Sequence, residues 1–171
     1  MHNQGMLKEN SLKDKTYIVT GGGSGLGKSM TAYLLNLGAN VIIVSRNEKK
    51  LHKAVKDLMP NTTEKNNIVF KVCDVKDHNM ISNVIEESFS EYSHIDGIVN
   101  NAAGNFISPT ENLSPNAFSA IIDIVLKGTC VFSLLYGKKC ITNKRKGKIV
   151  NIITTYAFTG SAYVVPSAAA K

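Results

Sequence analysis

Five short runs of aliphatic and β-branched residues recur along this chain, and a single segment of helical periodicity separates each from the next. The runs are Tyr17–Thr20, Val41–Val44, Ile68–Val72, Ile95–Val99 and Lys148–Ile153. Strands that are apolar at nearly every position are buried on both faces, and strands joined by single helices run parallel. The pattern predicts an α/β fold: a Rossmann-like, doubly wound parallel sheet with helices on both faces. It forms one domain over residues 1–171, with residues 1–15 as an N-terminal extension. Leu26, Met30, Leu34 and Leu37 mark the first helix, closed by Gly38 as a C-terminal cap. Leu51, Val55 and Leu58 mark a second, and Met80-Ile81, Val84-Ile85 and Phe89 a third. Ser114-Pro115, a capping residue before a proline at the first helical position, opens a fourth that runs to about Ile141. Asn61–Asn67 reads as a polar loop.

The first strand runs into Thr20-Gly21-Gly22-Gly23-Ser24-Gly25-Leu26-Gly27-Lys28-Ser29, and a helix follows directly. Glycines let the backbone approach a phosphate closely, and a helix N-terminus offers free N–H groups and a positive dipole end. A phosphate-bearing ligand follows from that arrangement, and two readings of it compete. Gly22 to Ser29 satisfies G-x-x-x-x-G-K-[ST], the P-loop pattern, with Asp74 ending a strand as a Walker-B acid would. The same residues also read Thr20-Gly21-x-x-x-Gly25-x-Gly27, a dinucleotide loop.

The rest of the chain favours the dinucleotide. Arg46 ends the second strand, where an NAD enzyme places an acidic residue and where an arginine suits a ribose 2′-phosphate. Cys73-Asp74-Val75 ends the third strand, where it can meet adenine. Asn100-Asn101-Ala102-Ala103-Gly104 follows the fourth, small enough for a cofactor to lie against the strand ends. Lys171 lies in a helix start opened by Pro166-Ser167, beyond the fifth strand.

Composition narrows the classes further. Twenty Lys+Arg against 13 Asp+Glu give +7, an excess that suits dinucleotides or coenzyme A but also suits a solvated lysine-rich surface. The run Lys144-Arg145-Lys146 with Lys148 has no aromatic interleaving and no nucleic-acid module beside it, so no nucleic-acid partner is expected. Cys73, Cys130 and Cys140 are odd in number and show no framework spacing, which points to a reducing compartment. His2, His52, His78 and His94 are scattered, so no metal site is assigned. No apolar run reaches the roughly 18 residues a spanning helix needs, so no membrane span is expected, and residues 1–15 lack the apolar core of a secretory signal.

Taken together these residues resemble the short-chain dehydrogenase/reductase family over nearly the whole chain, and within it the 2,4-dienoyl-CoA reductases. The likeness is carried by Asn100 to Pro115 (NNAAGNFISPTENLSP), by Asp123 to Thr129 and by Thr154 to Lys171. Departures from the wider family sharpen it. The position four before Lys171 is Ser167 rather than tyrosine, the usual helix asparagine is Val125, and the usual catalytic serine position is Thr154. Dienoyl-CoA reductases place their tyrosine earlier, at a position matched by Tyr156.

The resemblance implies NADPH-dependent reduction of a 2,4-dienoyl-CoA to a 3-enoyl-CoA in unsaturated fatty acid β-oxidation, by a homo-oligomer. It implies a dinucleotide held by Gly21, Ser24, Gly25, Leu26, Gly27, Arg46, Asp74, Asn101, Ala102 and Lys171. Tyr156, Lys171, Asn105 and Asp123 would form the catalytic network, with Phe106 and Ser114 touching the acyl-CoA. Without the resemblance, Tyr156 reads as a packing aromatic, Asn105 as a turn residue and Asp123 as a solvated helix residue. Family members continue past the position of Lys171, so the pattern implies a C-terminally incomplete chain. A truncated, non-catalytic nucleotide-binding chain is therefore the second reading, and a P-loop NTPase the third. Met6 to Leu12 resembles the start of the mature region in mitochondrial dienoyl-CoA reductases; a mitochondrial setting is expected, with a peroxisomal one as the alternative.

Overall fold

The computed structural model describes residues 7–61 and 67–171. His2, Met6 and most of the polar loop read at Asn61–Asn67 lie outside them. Five strands, β1 (Thr16–Thr20), β2 (Asn40–Ser45), β3 (Ile68–Val72), β4 (Gly97–Asn100) and β5 (Lys148–Asn151), form one parallel sheet in the order β3-β2-β1-β4-β5. Between them lie α1 (Gly25–Asn36), α2 (Glu48–Leu58), α3 (His78–Glu91), α4 (Pro115–Ile122) and α5 (Gly128–Thr142); α6 (Tyr156–Thr159) and α7 (Val165–Ala170) follow β5. The doubly wound α/β expectation is met. Strand order reverses between β1 and β4, the switch point where open parallel sheets place their ligands.

The two-residue period of the strands divides the core into two layers. Ile18, Ile42, Val44 and Ile98 face α3 and α5, where Ile81, Val84, Ile85, Phe132 and Tyr136 complete one cluster. Val19, Val41, Ile43 and Val99 face the other way, onto Leu35, Leu51, Ala54 and Leu58 of α1 and α2. Tyr136 pins α5 to the sheet by donating its hydroxyl to the Ile95 carbonyl at 3.0 Å, and burial pushes its acidity down. Cys73 sits fully buried in the same layer, its thiol pKa pushed up to about 12, first by burial and then by Asp74 and Asp77.

Helix starts follow the capping signals: Asn47 accepts from Lys50 N, Asp77 from Asn79 N and Met80 N, and Ser114 from Ala117 N. Gly38, at φ +84°, ends α1 as its residue type demands.

The structure refines the sequence reading at four points. The buried face of α1 is Gly27, Thr31 and Leu35, while Leu26 is 71% exposed. The glycine loop sets the rotation of α1, and that rotation turns the start of the leucine stripe to solvent. The fourth helix reaches Thr142 but includes a π-turn at Asp123–Lys127, where Gly128 N donates to Asp123 O. A π-turn shifts the helical face without breaking the helix, so apolar spacing does not reveal it.

Pro115–Thr142 is also long and apolar enough to cross a membrane, with a window of mean hydropathy 1.8 of which 22% is buried. Counting uninterrupted apolar runs missed it because Asp123 and Lys127 interrupt the segment; length and composition alone do not establish a span. Lastly, β5 is not covered on both faces: all four of its residues are exposed, with Ile149 at 45% and Val150 at 48%. Among the described residues it ladders to β4 alone, at the edge of the sheet.

Candidate active site

The crevice at the switch point is built by hydrogen bonds between the ends of β1 and β4. Thr20 Oγ1 accepts from the backbone N–H of Asn101 and of Ala102, each at 2.9 Å, and donates to Val99 O. Asn101 Nδ2 donates back to Thr20 O at 3.0 Å. Above this floor the glycine loop turns into α1. A Cβ on Gly27 would lie 2.3 Å from the Gly21 carbonyl oxygen, so only glycine lets α1 pack this close to the loop. Gly25 adopts φ +51° and has nothing within 4 Å of an added Cβ, so its backbone faces open space.

Ser24 opens α1 without a capping bond from its side chain, in contrast to the residues that open α2, α3 and α4. Ser24 thus leaves the first-turn N–H groups of α1 without a side-chain cap, which suits a pyrophosphate. The loop begins beside β2, because Gly21 N donates to Val44 O at 2.7 Å. Arg46, two residues further on, is exposed and has no ion-pair partner among the described residues. Asp74 is less available: its carboxylate accepts from Lys76 N at 3.0 Å and lies 3.8 Å from Lys76 Nζ.

The residues read as catalytic come from three segments. Asn105 and Phe106 stand exposed in the coil after β4, and Asn105 makes no side-chain hydrogen bond among the described residues. Asp123 pairs with Lys127 Nζ at 2.6 Å across the π-turn. Ser114 spends its hydroxyl capping α4 at 3.1 Å. Tyr156 opens α6 and is 46% exposed.

Lys171 follows α7, which packs on α4 and the π-turn through Ala170, Ile121 and Val125. Its ammonium donates to Ile152 O just past β5, and partial burial holds its pKa below the usual 10.5. Among the described residues no hydrogen bond joins Tyr156 to Lys171 or to Asn105. The sequence reading missed the Thr20 latch, for which the spacing carried no signal. It also missed three exposed apolar side chains: Ile107, Phe158 and Tyr163.

The P-loop reading fares badly against this geometry. Lys28, which should reach over a phosphate, donates to Asp57 of α2 at 2.7 Å, and that bond holds the Asp57 carboxyl below its usual range. Asp74 ends β3, two strands away from β1.

Comparison with known proteins agrees. The family model for short chain dehydrogenase matches residues 15–171, and the chain belongs to that family of nicotinamide-dependent oxidoreductases. The P-loop NTPase reading is thereby overturned. The chain is 42% identical over 175 residues to a Caenorhabditis elegans protein named probable 2,4-dienoyl-CoA reductase 3, covering 99% of this chain and 54% of that protein. It is 34% identical to a Danio rerio protein named peroxisomal 2,4-dienoyl-CoA reductase, covering 94% of this chain and 52% of the relative. The fold superposes on a crystal structure of a Bacillus anthracis short chain dehydrogenase with TM-score 0.88 and 39% identity, covering 92% of this chain and 64% of that one. The chain spans about half the length of these curated relatives.

Proposed function

We propose that the protein is an NADPH-dependent 2,4-dienoyl-CoA reductase, yielding a 3-enoyl-CoA in unsaturated fatty acid β-oxidation. The observation that carries the reading is the pairing of Arg46, which has no ion-pair partner among the described residues and lies beside the glycine loop, with Tyr156 in the early tyrosine position. Arg46 suits the 2′-phosphate of NADPH. The dinucleotide, when bound, supplies a hydride to the far end of the conjugated thioester. The glycine loop and the α1 N-terminus bind its pyrophosphate, and Ala102 leaves room for it over the latched ends of β1 and β4.

The reduction pushes charge onto the thioester oxygen as a dienolate. Asn105 and Tyr156 donate to that oxygen, and Tyr156 provides the proton that completes the product. A phenol is a weak acid near neutrality, so the Lys171 ammonium, anchored on Ile152 O, supports it. Asp123 balances Lys127 and belongs to the same helix turn, holding its place rather than touching substrate. Phe106 and Ser114, the cap of α4, line the approach of the acyl-CoA.

The relatives named peroxisomal favour a peroxisomal setting over the mitochondrial one suggested by Met6 to Leu12. Self-association is part of the proposal, supported by exposed Leu134 and Ile141 on α5. Titration of the purified chain with NADPH, with Mg-ATP in parallel, tests the site. Saturable NADPH binding that weakens on Arg46→Ala, with no binding of ATP, is expected. Binding of ATP alone would overturn the proposal.

A further inference from the structure

Beside Tyr156 lies a cleft of about 290 Å³, walled by Phe158 and Gly160 on one side and by Val165, Ala168 and Ala169 of α7 on the other. Its lining holds no charged residue, and apart from the hydroxyls of Tyr156 and Ser161 its side chains are apolar. Phe158, which lines it, is 82% exposed, and Ile107 and Tyr163 are exposed on the segments before and after it in the chain. Their segments are tied together: Ser108 N donates to Tyr163 O at 3.1 Å and Thr110 Oγ1 to Ala162 O at 3.4 Å. A large apolar side chain lining an uncharged cleft of this size marks a place for an apolar ligand.

A charged occupant would meet no countercharge there, and only the hydroxyls of Tyr156 and Ser161 as polar partners. The occupant that fits is an alkyl chain, and continuity with Tyr156 makes it the tail of the molecule whose reacting end meets that hydroxyl. We propose that this cleft is an acyl-tail subsite in which Phe158 forms the lip and Ala168 and Ala169 the floor, so that these residues set the chain length accepted. The thioester part of this assignment rests on the reductase reading; the alkyl subsite rests on the geometry of the cleft.

The test is calorimetric titration of the NADPH-loaded protein with butanoyl-, octanoyl- and dodecanoyl-CoA, with free dodecanol as a second probe. Affinity should rise with chain length, by up to about three- to fourfold for each methylene fully buried. Phe158→Ala should weaken dodecanoyl-CoA by about tenfold while leaving butanoyl-CoA and NADPH unchanged. Phe158 is too exposed for its removal to unfold the chain. Ala169→Leu, which fills the cleft, should level the affinities beyond octanoyl.

Acyl-CoA binding that is equal at all lengths would overturn the subsite and leave the reductase reading standing. Phe158-dependent binding of dodecanol without binding of any acyl-CoA would do the reverse. Concentration-dependent dimerisation abolished by Phe158→Ala, with no alkyl binding, would assign the cleft to a second copy and overturn the proposal.

Discussion

Tyr156 and Lys171 illustrate how much a single side chain's surroundings add to its identity. Tyr156→Phe removes one hydroxyl from a half-exposed position, so the fold should be untouched. Dienoyl-CoA-dependent NADPH oxidation should fall by about 100- to 1,000-fold with NADPH affinity preserved, as read by steady-state kinetics beside a binding titration. The Lys171 ammonium is disfavoured by burial, so it loses its proton at a lower pH than the ordinary 10.5. The alkaline limb of kcat/KM should therefore fall below that value, and Lys171→Arg should move it upward. Stability has the same sign: the unfolded chain holds this proton where the folded chain has released it. Wild-type stability relative to Lys171→Gln should thus rise with pH through the window just below 10.5, as measured by denaturant titration. The sequence named both residues through resemblance, but it could not show that Lys171 is anchored on Ile152 O. That bond joins residues 19 apart through the path of α6 and α7.

Among the elements, the junction of β1 with β4 and α1 decides whether a crevice exists. Thr20→Val removes the acceptor for two backbone N–H groups and should cost about 2–4 kcal/mol in chemical denaturation. NADPH affinity should drop with it, because the floor of the crevice is no longer tied across the switch point. Gly27→Ala places a methyl where the Gly21 carbonyl stands, so the loop must shift. A loss of dinucleotide binding larger than the loss of stability is expected, read by titration and thermal melting. The glycines were legible in the sequence as a phosphate loop. The rotation of α1 was not, because the leucine stripe and the Gly27-Thr31-Leu35 face are both plausible until the packing partner is known. The π-turn at Asp123–Lys127 was likewise invisible, being a change in hydrogen-bond register and not in residue type.

For the whole molecule, β5 is the most exposed strand of the sheet. A strand laddered to β4 on one side, with Ile149 and Val150 half exposed, is a template for association. Val150→Lys should reduce self-association in sedimentation velocity while changing stability by no more than about 0.5 kcal/mol, the scale of surface substitutions. The alternation of five apolar runs with single helices determined the parallel, doubly wound sheet by itself. The caps at Asn47, Asp77 and Ser114 were fixed equally locally, each by a side chain bonding an N–H two or three residues on. Strand order, the latch of Thr20 to Asn101 and Ala102, the engagement of Lys28 with Asp57 and the exposure of β5 were decided only by tertiary structure. Each depends on residues far apart in sequence meeting across the sheet or between helices, and local periodicity carries no record of which of them meet.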